Sequence, residues 1–333
     1  MKPFRCLVIF ILLLLPAGAA GCSPSASPLT TREQMLMGTL VSISISGAEP
    51  NLADRAEDLA FHEIRRIEQV MSTYIPESDI SLINRSAGKA WRPVDPELLF
   101  VIQESLRYSR LSNGAFDITF KPLSNLWPME PDSRPPSEEE IRKVLPLINY
   151  HDVLMDDQGR VLLKKPGMSI GLGGIAKGYA VDRAMAVLKA QGIKNAVINA
   201  GGDLLVIGRR SDQQPWEIGI QDPRNRNTLI KKMPMTNCAI ATSGDYERFF
   251  IYNGVRYHHI MDPRTGYPAQ GCRSVTIICP TVIMADAVAT AVFVLGPEAG
   301  MALIDKIPDV QGLIVDELGE IHPSRDFDRR RVQ

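Results

Sequence analysis

Apolar and polar positions alternate along the chain with two different periods. Residues 40–46 (Leu-Val-Ser-Ile-Ser-Ile-Ser) alternate strictly, which predicts a half-buried strand. Residues 51–73 repeat at helical spacing instead, and the apolar stripe of this predicted helix comprises Leu52, Leu59, Ile64, Ile67 and Met71. A second helix is predicted to start at Asp95-Pro96 and to end at Asn113-Gly114.

The middle of the chain mixes short strands with helices. Ser137 and Glu140 have the spacing of a capping box, which predicts a short helix, and residues 153–163 predict a hairpin around Asp157-Gln158-Gly159. Strands and turns follow one another from residue 204 to residue 279. Runs of strands separated by a few helices favour an α+β fold with mixed or antiparallel sheets and flanking helices, in one globular unit of one or two lobes.

Residues 284–295 predict a buried helix that ends at Gly296-Pro297. Asp286 and Thr290 interrupt its apolar run, and because they are four residues apart they lie on one face. A carboxylate and a hydroxyl at this spacing form a hard-oxygen set suited to Mg²⁺ with phosphate. The alternative is an aspartate near the positive end of the helix dipole, with Thr290 bonded back to a carbonyl.

Residues 171–179 (Gly-Leu-Gly-Gly-Ile-Ala-Lys-Gly-Tyr) precede a predicted helix that runs to about Gln191. They match G-x-G-x-x-A, although only three apolar residues precede them and the acidic residue of a dinucleotide fingerprint is missing. Glycines at a helix start let backbone groups approach phosphate, and Lys177 adds a positive charge. Tight helix packing with a solvated Lys177 is the alternative.

His258 and His259 lie at the end of a predicted strand that enters a turn made by Pro263 and Gly266. Neighbouring side chains on a strand face opposite ways, so one histidine can enter a site while the other does not. Beside a phosphate site, that histidine would be a candidate base.

The first residues have the features of an export signal. A basic start and a short apolar core lead to small residues before Cys22, and about ten apolar residues are too few to span a bilayer. The Ala-Gly-Cys ending is similar to a bacterial lipobox, with Ala19 where Leu is usual, and an ordinary secretory signal is the alternative. We therefore expect residues 1–21 to be a signal peptide, residues 22–32 a tether and residues 33–333 the folded domain.

Composition and cysteine content limit the remaining possibilities. An apolar content of 45% over 333 residues is ample for a core, and a net charge of −1 indicates no nucleic-acid partner. Cys272 and Cys279 stand at the two ends of one predicted strand, too far apart to form a disulfide. We expect buried thiols, with at most one disulfide through Cys238.

Eight short motifs together resemble the ApbE-like flavin transferases, the FAD:protein FMN transferases. They occur in family order between residue 37 and about residue 296, and they are Met37-Gly38-Thr39, Met71-Ser72-Thr73-Tyr74, Gly114-Ala115-Phe116-Asp117-Ile118, Gly174-Ile175-Ala176-Lys177-Gly178-Tyr179-Ala180, Asn199-Ala200-Gly201-Gly202-Asp203, Thr242-Ser243-Gly244-x-Tyr246, His259-Ile260-Met261-Asp262-Pro263-Arg264-Thr265-Gly266 and Ala285-Asp286-Ala287-Val288-Ala289-Thr290.

The resemblance implies a Mg²⁺-dependent enzyme that cleaves FAD, attaches FMN to a threonine hydroxyl of an acceptor protein and releases AMP. It implies that the metal ligands are Asp286, Thr290 and the Gly174 carbonyl, and that His259 takes the proton of the threonine. The implied FAD site comprises Met37, Tyr74, Ala115, Phe116, Asp117, Lys177 and Ile260. Many members carry Asp at the position of Gly171, and that Asp contacts FAD.

The family also implies a location and partners. Acceptors in the family are membrane-bound redox subunits, and a lipid on Cys22 would anchor the enzyme to a bacterial envelope membrane, facing the periplasm. Two alternatives stay open: a metal-dependent FAD pyrophosphatase that yields FMN and AMP, and a non-catalytic flavin-binding lipoprotein.

Overall fold

An antiparallel sheet of eight strands organises the molecule. The structure is a computed structural model that describes residues 29–327. Its strands, in chain order, are β1 (Leu29–Leu36), β2 (Thr39–Ser46), β3 (Arg92–Pro93), β4 (Val153–Met155), β5 (Arg160–Leu163), β6 (Ala196–Ala200), β7 (Asp203–Ile207), β8 (Trp216–Gln221), β9 (Leu229–Met235), β10 (Cys238–Gly244), β11 (Phe249–Tyr252), β12 (Val255–His258), β13 (Cys272–Cys279), β14 (Gln311–Asp316) and β15 (Ile321–Pro323).

Helices cover one face of this sheet. In chain order they are α1 (Pro50–Met71), α2 (Asp79–Arg85), α3 (Pro96–Leu111), α4 (Lys121–Leu126), α5 (Glu138–Val144), α6 (Ala176–Ala190), α7 (Val282–Leu295) and α8 (Pro297–Lys306). Helix α7 packs on β10 and β13, and α6 lies between α7 and α1. Helix α7 is buried along nearly all of its length, as expected for a helix that is apolar all round.

The large sheet has the order β1-β2-β6-β7-β10-β13-β14-β15, and every neighbouring pair is antiparallel. The inner strand β13 is buried on both faces. Ile277 belongs to the main core under the helices, whereas its neighbour Ile278 belongs to a second cluster with residues of the β8–β9 hairpin. Because successive side chains of a strand point to opposite faces, β13 contributes residues to both hydrophobic clusters.

Helices α6 and α7 run antiparallel and approach closely. A Cβ on Gly178 would lie 2.4 Å from the Val282 carbonyl oxygen, and one on Gly174 would lie 2.9 Å from Thr290 Oγ1. Only glycine allows this approach at residue 178, because the obstacle there is backbone. The close contact sets the glycine segment directly against the polar face of α7.

A small aromatic cluster supports the β11–β12 hairpin. Trp127 stacks on Tyr257 with ring centroids 5.5 Å apart, and Phe250 stacks on Tyr257 at 5.2 Å. The Trp127 indole donates a hydrogen bond to the Gly266 carbonyl at 3.0 Å. These contacts fix the segment that carries the two neighbouring histidines.

The predicted α+β class and several local predictions are confirmed. The capping box forms, with Ser137 and Glu140 each bonded to the other's backbone N–H, and β4 pairs with β5 as a hairpin. One main core contains residues from Leu36 to Ile314, which corresponds to a single unit.

Three predictions need correction. Leu59 is 41% exposed and lies off the buried stripe of α1, because its neighbours Ala56 and Ala60 take the inward positions. Leu29 to Arg32 are paired in β1 and so do not belong to a tether. The short run before Gly171 forms no strand, which removes the dinucleotide-binding interpretation of the glycine segment.

No disulfide joins Cys238, Cys272 and Cys279; the last two are buried, and Cys238 is half-buried. The predicted signal peptide and Cys22 lie outside the described residues. Between residues 29 and 327, none of the helices is long and apolar enough for a bilayer crossing.

Candidate functional site

Asp286 is a buried carboxylate at the α6–α7 interface, with 3% of the residue exposed. Its Oδ2 accepts a hydrogen bond from the Gly178 backbone N–H at 3.2 Å and lies 3.6 Å from Lys177 Nζ. Burial raises the pKa of Asp286, and the Lys177 ammonium opposes that effect. The sequence had predicted a shared face for Asp286 and Thr290, but not this ammonium partner.

Lys177 pairs with a second buried carboxylate, Asp203, which accepts a hydrogen bond from Nζ. Burial disfavours the charged ammonium, but Asp203 and Asp286 together outweigh it and raise the pKa of Lys177. Burial and the neighbouring Asp286 raise the pKa of Asp203. One ammonium thus serves two carboxylates, and Lys177 is not the solvated side chain of the alternative interpretation.

Thr290 lies one helical turn beyond Asp286 and faces the glycine segment. A Cβ on Gly174 would be 2.9 Å from its hydroxyl oxygen, and the Ser243 hydroxyl on β10 is 3.4 Å away. The Gly174 backbone, Thr290 and Asp286 are therefore neighbours. Their donors are a carbonyl, a hydroxyl and a carboxylate, the oxygen ligands that Mg²⁺ and Ca²⁺ prefer.

The glycine segment begins beside a cation and an exposed aromatic ring. A Cβ on Gly171 would lie 3.6 Å from Cδ of Lys121, whose ammonium lies 5.2 Å from the centroid of the Tyr74 ring. Tyr74 is 81% exposed, so its ring is open to a ligand. The segment thus leads from Tyr74 and Lys121 to the polar cluster on α7.

Ala115, Phe116 and Asp117 form the wall next to this segment. Ala115 and Phe116 are buried, and a Cβ on Gly174 would meet the Phe116 ring at 3.2 Å. Asp117 uses both carboxylate oxygens within the protein: it accepts from the backbone N–H and the hydroxyl of Thr119 and from the Tyr150 N–H. Asp117 therefore holds this wall in place through its own side chain.

Met37 occupies the two-residue turn between β1 and β2. Both Met37 (φ +52°) and Gly38 (φ +73°) have left-handed backbones, as a tight hairpin turn requires. The Met37 N–H donates to Glu68 on α1 at 2.8 Å. Thr39, next in the chain, contacts Gly201, so this turn lies beside the turn that leads to Asp203.

The two histidines differ in what their ring nitrogens can do. In His258, Nε2 bonds to the Ala269 carbonyl at 2.9 Å and Nδ1 accepts from the Ile260 N–H at 3.3 Å, so both nitrogens are used. In His259, Nδ1 is 3.2 Å from the Arg248 carbonyl. Because a carbonyl only accepts, this Nδ1 carries the proton and Nε2 keeps its lone pair.

His259 is half-buried, and partial desolvation together with the Arg248 guanidinium lowers its pKa, with the Lys177 charge adding to that effect. His259 is therefore neutral at physiological pH and electrostatically coupled to the cluster on α7. Ile260, next to it, is buried.

Among the predicted residues, the structure thus places Lys177 beside Asp286 and sets Gly174 against Thr290, with Phe116 adjacent to Gly174. Tyr74 is linked through Lys121 to the start of the glycine segment, and the charge of Lys177 acts on His259. Met37 precedes Gly38 and Thr39, and Thr39 contacts Gly201 in the turn before Asp203. Asp203 and Ser243 join the site although the sequence assigned them no role. Asp203 is 26 residues from Lys177 and Ser243 is 47 residues from Thr290, so no local spacing could reveal these contacts.

A cavity of about 360 Å³ lies beside the α6–α7 contact, where Phe100, Asp182 and Ile283 line it. Its lining is mostly apolar and includes none of the predicted site residues. The cavity and the charged cluster are therefore separate features.

Known proteins resemble this chain over nearly its whole described length. The FAD:protein FMN transferase of Vibrio cholerae is 35% identical over 297 residues, covering 86% of this chain and 87% of that protein. The enzyme of the same name from Treponema pallidum is 30% identical and covers 92% of this chain and 90% of its own length. The crystal structure of the ApbE protein from Thermotoga maritima superposes with a TM-score of 0.84 at 37% identity, covering 92% of this chain and all of that one.

The solved flavin transferase ApbE from Vibrio cholerae gives a TM-score of 0.81 at 29% identity, covering 90% of this chain and 99% of its own. The model of the ApbE family matches residues 37–314, which include every motif that the sequence analysis singled out. The chain belongs to the ApbE family.

Proposed function

We propose that this protein is an FAD:protein FMN transferase, which cleaves FAD, attaches FMN to a threonine hydroxyl of an acceptor protein and releases AMP. The observation that carries the proposal is the meeting of Asp286, Thr290, Lys177 and the Gly174 backbone at the start of α6, with the neutral His259 coupled to them. Relatives named FAD:protein FMN transferase at 30–35% identity support the same activity.

FAD would lie along the glycine segment. The exposed Tyr74 ring offers a stacking surface beside Lys121, while Ala115, Phe116 and Asp117 form a rigid wall. Lys177 is placed to neutralise phosphate oxygens, and Met37 and Ile260 would border the site from the β1–β2 turn and the β12 end. These residues would hold the pyrophosphate still, which accounts for a large part of the acceleration of a transfer reaction.

Asp286, Thr290 and the Gly174 carbonyl fit Mg²⁺ because they are hard oxygen donors that lie together beside a buried charge cluster. Bound there, Mg²⁺ would neutralise charge that develops on the phosphate oxygens. Ser243, in contact with Thr290, would hold the Thr290 hydroxyl in orientation.

His259 would act as the base. Its Nδ1–H is bonded to the Arg248 carbonyl, which leaves Nε2 to take the proton of the acceptor threonine. The threonine oxygen then bonds to the phosphorus of the FMN half, and the P–O bond to AMP breaks. His258 cannot fill this role, because both of its ring nitrogens are already bonded.

The acceptor would be a threonine-bearing subunit of a membrane redox complex. We place the enzyme at a bacterial envelope membrane, facing the periplasm and held by a lipid on Cys22; the sequence around Cys22 supports this placement.

The test is to incubate the purified protein with FAD, Mg²⁺ and a flavin-accepting protein, and to follow flavin fluorescence on the denatured acceptor. The expected result is a covalent flavin on the acceptor and one AMP per transfer. Free FMN and AMP in the presence of an unmodified acceptor would identify a pyrophosphatase instead. FAD binding without turnover would identify a binding protein.

A further inference from the structure

The charged cluster beside the proposed metal site contains more carboxylate than ammonium. In the described part of the chain, the ion pairs found for Asp203 and for Asp286 are both with Lys177. Asp203 is nearly fully buried, at 2% exposed, and Asp286 is 3% exposed. A single ammonium is therefore the cationic partner of two buried carboxylates, and an unpaired charge in a buried site is costly.

Lys177 is not shared equally between the two. Its Nζ donates a hydrogen bond to Asp203, whereas it lies 3.6 Å from Asp286, outside good hydrogen-bond distance. Asp286 accepts a hydrogen bond from the neutral Gly178 N–H at 3.2 Å. In this arrangement the main partner of Lys177 is Asp203.

The backbone places Asp203 independently of Lys177. It is the first residue of β7 and directly follows Gly201 and Gly202, which both have left-handed backbones. A Cβ on Gly201 would lie 2.3 Å from Thr39 Oγ1, so this turn is packed tightly against β2. The strand pair Ala200–Asp203 closes the turn. The backbone thus fixes the position of the Asp203 carboxylate, to which the long, flexible side chain of Lys177 can bond.

We propose that Asp203 is a positioning residue that keeps the Lys177 ammonium from forming a direct hydrogen bond with Asp286, so that Asp286 stays available to a divalent cation. This inference rests on the proposed function, in which Asp286 is a metal ligand. It assigns a role in the same site to a residue outside the predicted metal and flavin set.

The physical reason is competition between two cations for one carboxylate. An ammonium within hydrogen-bond distance of Asp286 must be displaced before Mg²⁺ can bind, and in a buried site that displacement is costly. With Asp203 present, Lys177 keeps a carboxylate partner when a metal arrives. Without Asp203, the only carboxylate left to Lys177 in this cluster is Asp286 itself.

The test measures Mg²⁺ binding by calorimetry at pH 7.5, without FAD or acceptor, on the wild type and on Asp203→Asn. Binding of Mn²⁺ followed by electron paramagnetic resonance gives a second readout that does not depend on activity. We expect Asp203→Asn to weaken binding of both ions by roughly 10-fold or more, because asparagine cannot hold the ammonium by charge. Asp203→Ser, which is smaller and also uncharged, serves if Asp203→Asn does not fold.

The double variant Asp203→Asn/Lys177→Gln removes the competing ammonium as well. We expect it to bind Mg²⁺ within about threefold of the wild type. Asp182→Asn is the matched control, because it removes another carboxylate at the α6–α7 contact, which is half-buried and accepts hydrogen bonds from backbone N–H groups. If loss of negative charge alone weakened binding, Asp182→Asn would weaken it too.

A crystal structure of Asp203→Asn completes the test, with Lys177 Nζ expected within 3.2 Å of an Asp286 oxygen. Wild-type affinity in Asp203→Asn, or a double variant as weak as Asp203→Asn alone, would overturn the inference. A wild-type protein that binds neither ion would instead refute the metal part of the proposed function, so the two failures are distinguishable.

Discussion

Two aspartates at the antiparallel α6–α7 contact, the half-buried Asp182 and the buried Asp286, have different roles. Asp182, on α6, accepts hydrogen bonds from the backbone N–H groups of Val282 and Ile283, both at 2.9 Å, and so caps the start of α7. Asp286, on α7, accepts one backbone N–H and faces an ammonium 3.6 Å away. Both hydrogen bonds that Asp182 accepts come from the backbone, whereas Asp286 accepts one backbone hydrogen bond and also faces a cation.

The comparison shows why burial alone does not identify a site. Burial raises the pKa of both carboxyls. A cavity adjoins Asp182 and not Asp286, yet it is Asp286 that belongs to the charged cluster with Lys177 and Asp203. Function therefore depends on which partners satisfy a buried carboxylate, and the following variants test that difference.

The largest effect is expected from Asp286→Asn. Loss of this carboxylate removes the charged ligand from the proposed metal set, and we expect FMN transfer to fall by roughly 10³–10⁵-fold, since a bound metal supplies several kcal/mol of charge stabilisation. The measurement is the initial rate of acceptor flavinylation at saturating FAD. Asp182→Asn is the control, with a rate expected within about threefold of wild type. Comparable losses of transfer rate in the two variants would show that Asp286 and Asp182 do not differ in function.

His259→Ala tests the proposed base. We expect transfer to slow by roughly 10²–10⁴-fold while FAD binding, followed by quenching of flavin fluorescence, stays near wild type. His258→Gln is the comparison and should mainly lower the melting temperature, because His258 is buried and bonds to the Ala269 carbonyl. A near-normal transfer rate in His259→Ala would exclude His259 from the mechanism.

Asp182, which caps the start of α7, should make the stability of the protein depend on pH. Burial raises the pKa of Asp182 to about 6, above the 3.8 of a free carboxyl. The folded state therefore binds the proton more tightly, so the contribution of this group to stability is full below about pH 4 and is lost as the pH rises through about 6.

Asp182→Asn should remove that contribution to the pH slope. We expect the difference in unfolding free energy between wild type and variant to change by roughly 1–3 kcal/mol between pH 4 and pH 7. Denaturant unfolding at several pH values measures it. A difference that stays constant across this range would mean that Asp182 has an ordinary pKa in the folded protein.

The smallest effect is expected at Gly171, where many family members carry aspartate. Gly171 has no left-handed backbone, and an added Cβ would find its nearest neighbour, in the Phe120 ring, at 3.4 Å, so Gly171→Asp should fold normally. One added hydrogen bond to FAD would tighten binding by about 3–10-fold with little change in the maximal rate. FAD titration checks this, and Gly171→Ala separates the carboxylate from the added bulk. Unchanged affinity in Gly171→Asp would show that the flavin does not reach this position.

Much of this architecture could be predicted from local patterns. The helical stripe of α1, the capping box of α5 and the buried helix α7 all follow from residues within one or two turns of each other. The prediction failed where packing decided between neighbours, as at Leu59, whose position on α1 faces solvent while two alanines face the core. It also placed the start of the fold too late, because the pairing of β1 with β2 adds residues that show little apolar alternation.

By itself, the sequence determined that Asp286 and Thr290 share a face of an apolar helix, since an α-helix has a fixed rise and turn. It also determined that glycines and a lysine open the helix α6. Only the tertiary structure decided that Lys177 bonds to Asp203, that Asp182 caps α7 and that His259, not His258, keeps a ring nitrogen available. The physical reason is that a spacing of four residues is set by backbone geometry, whereas the partner of a buried charge is set by contacts between elements 26 to 101 residues apart.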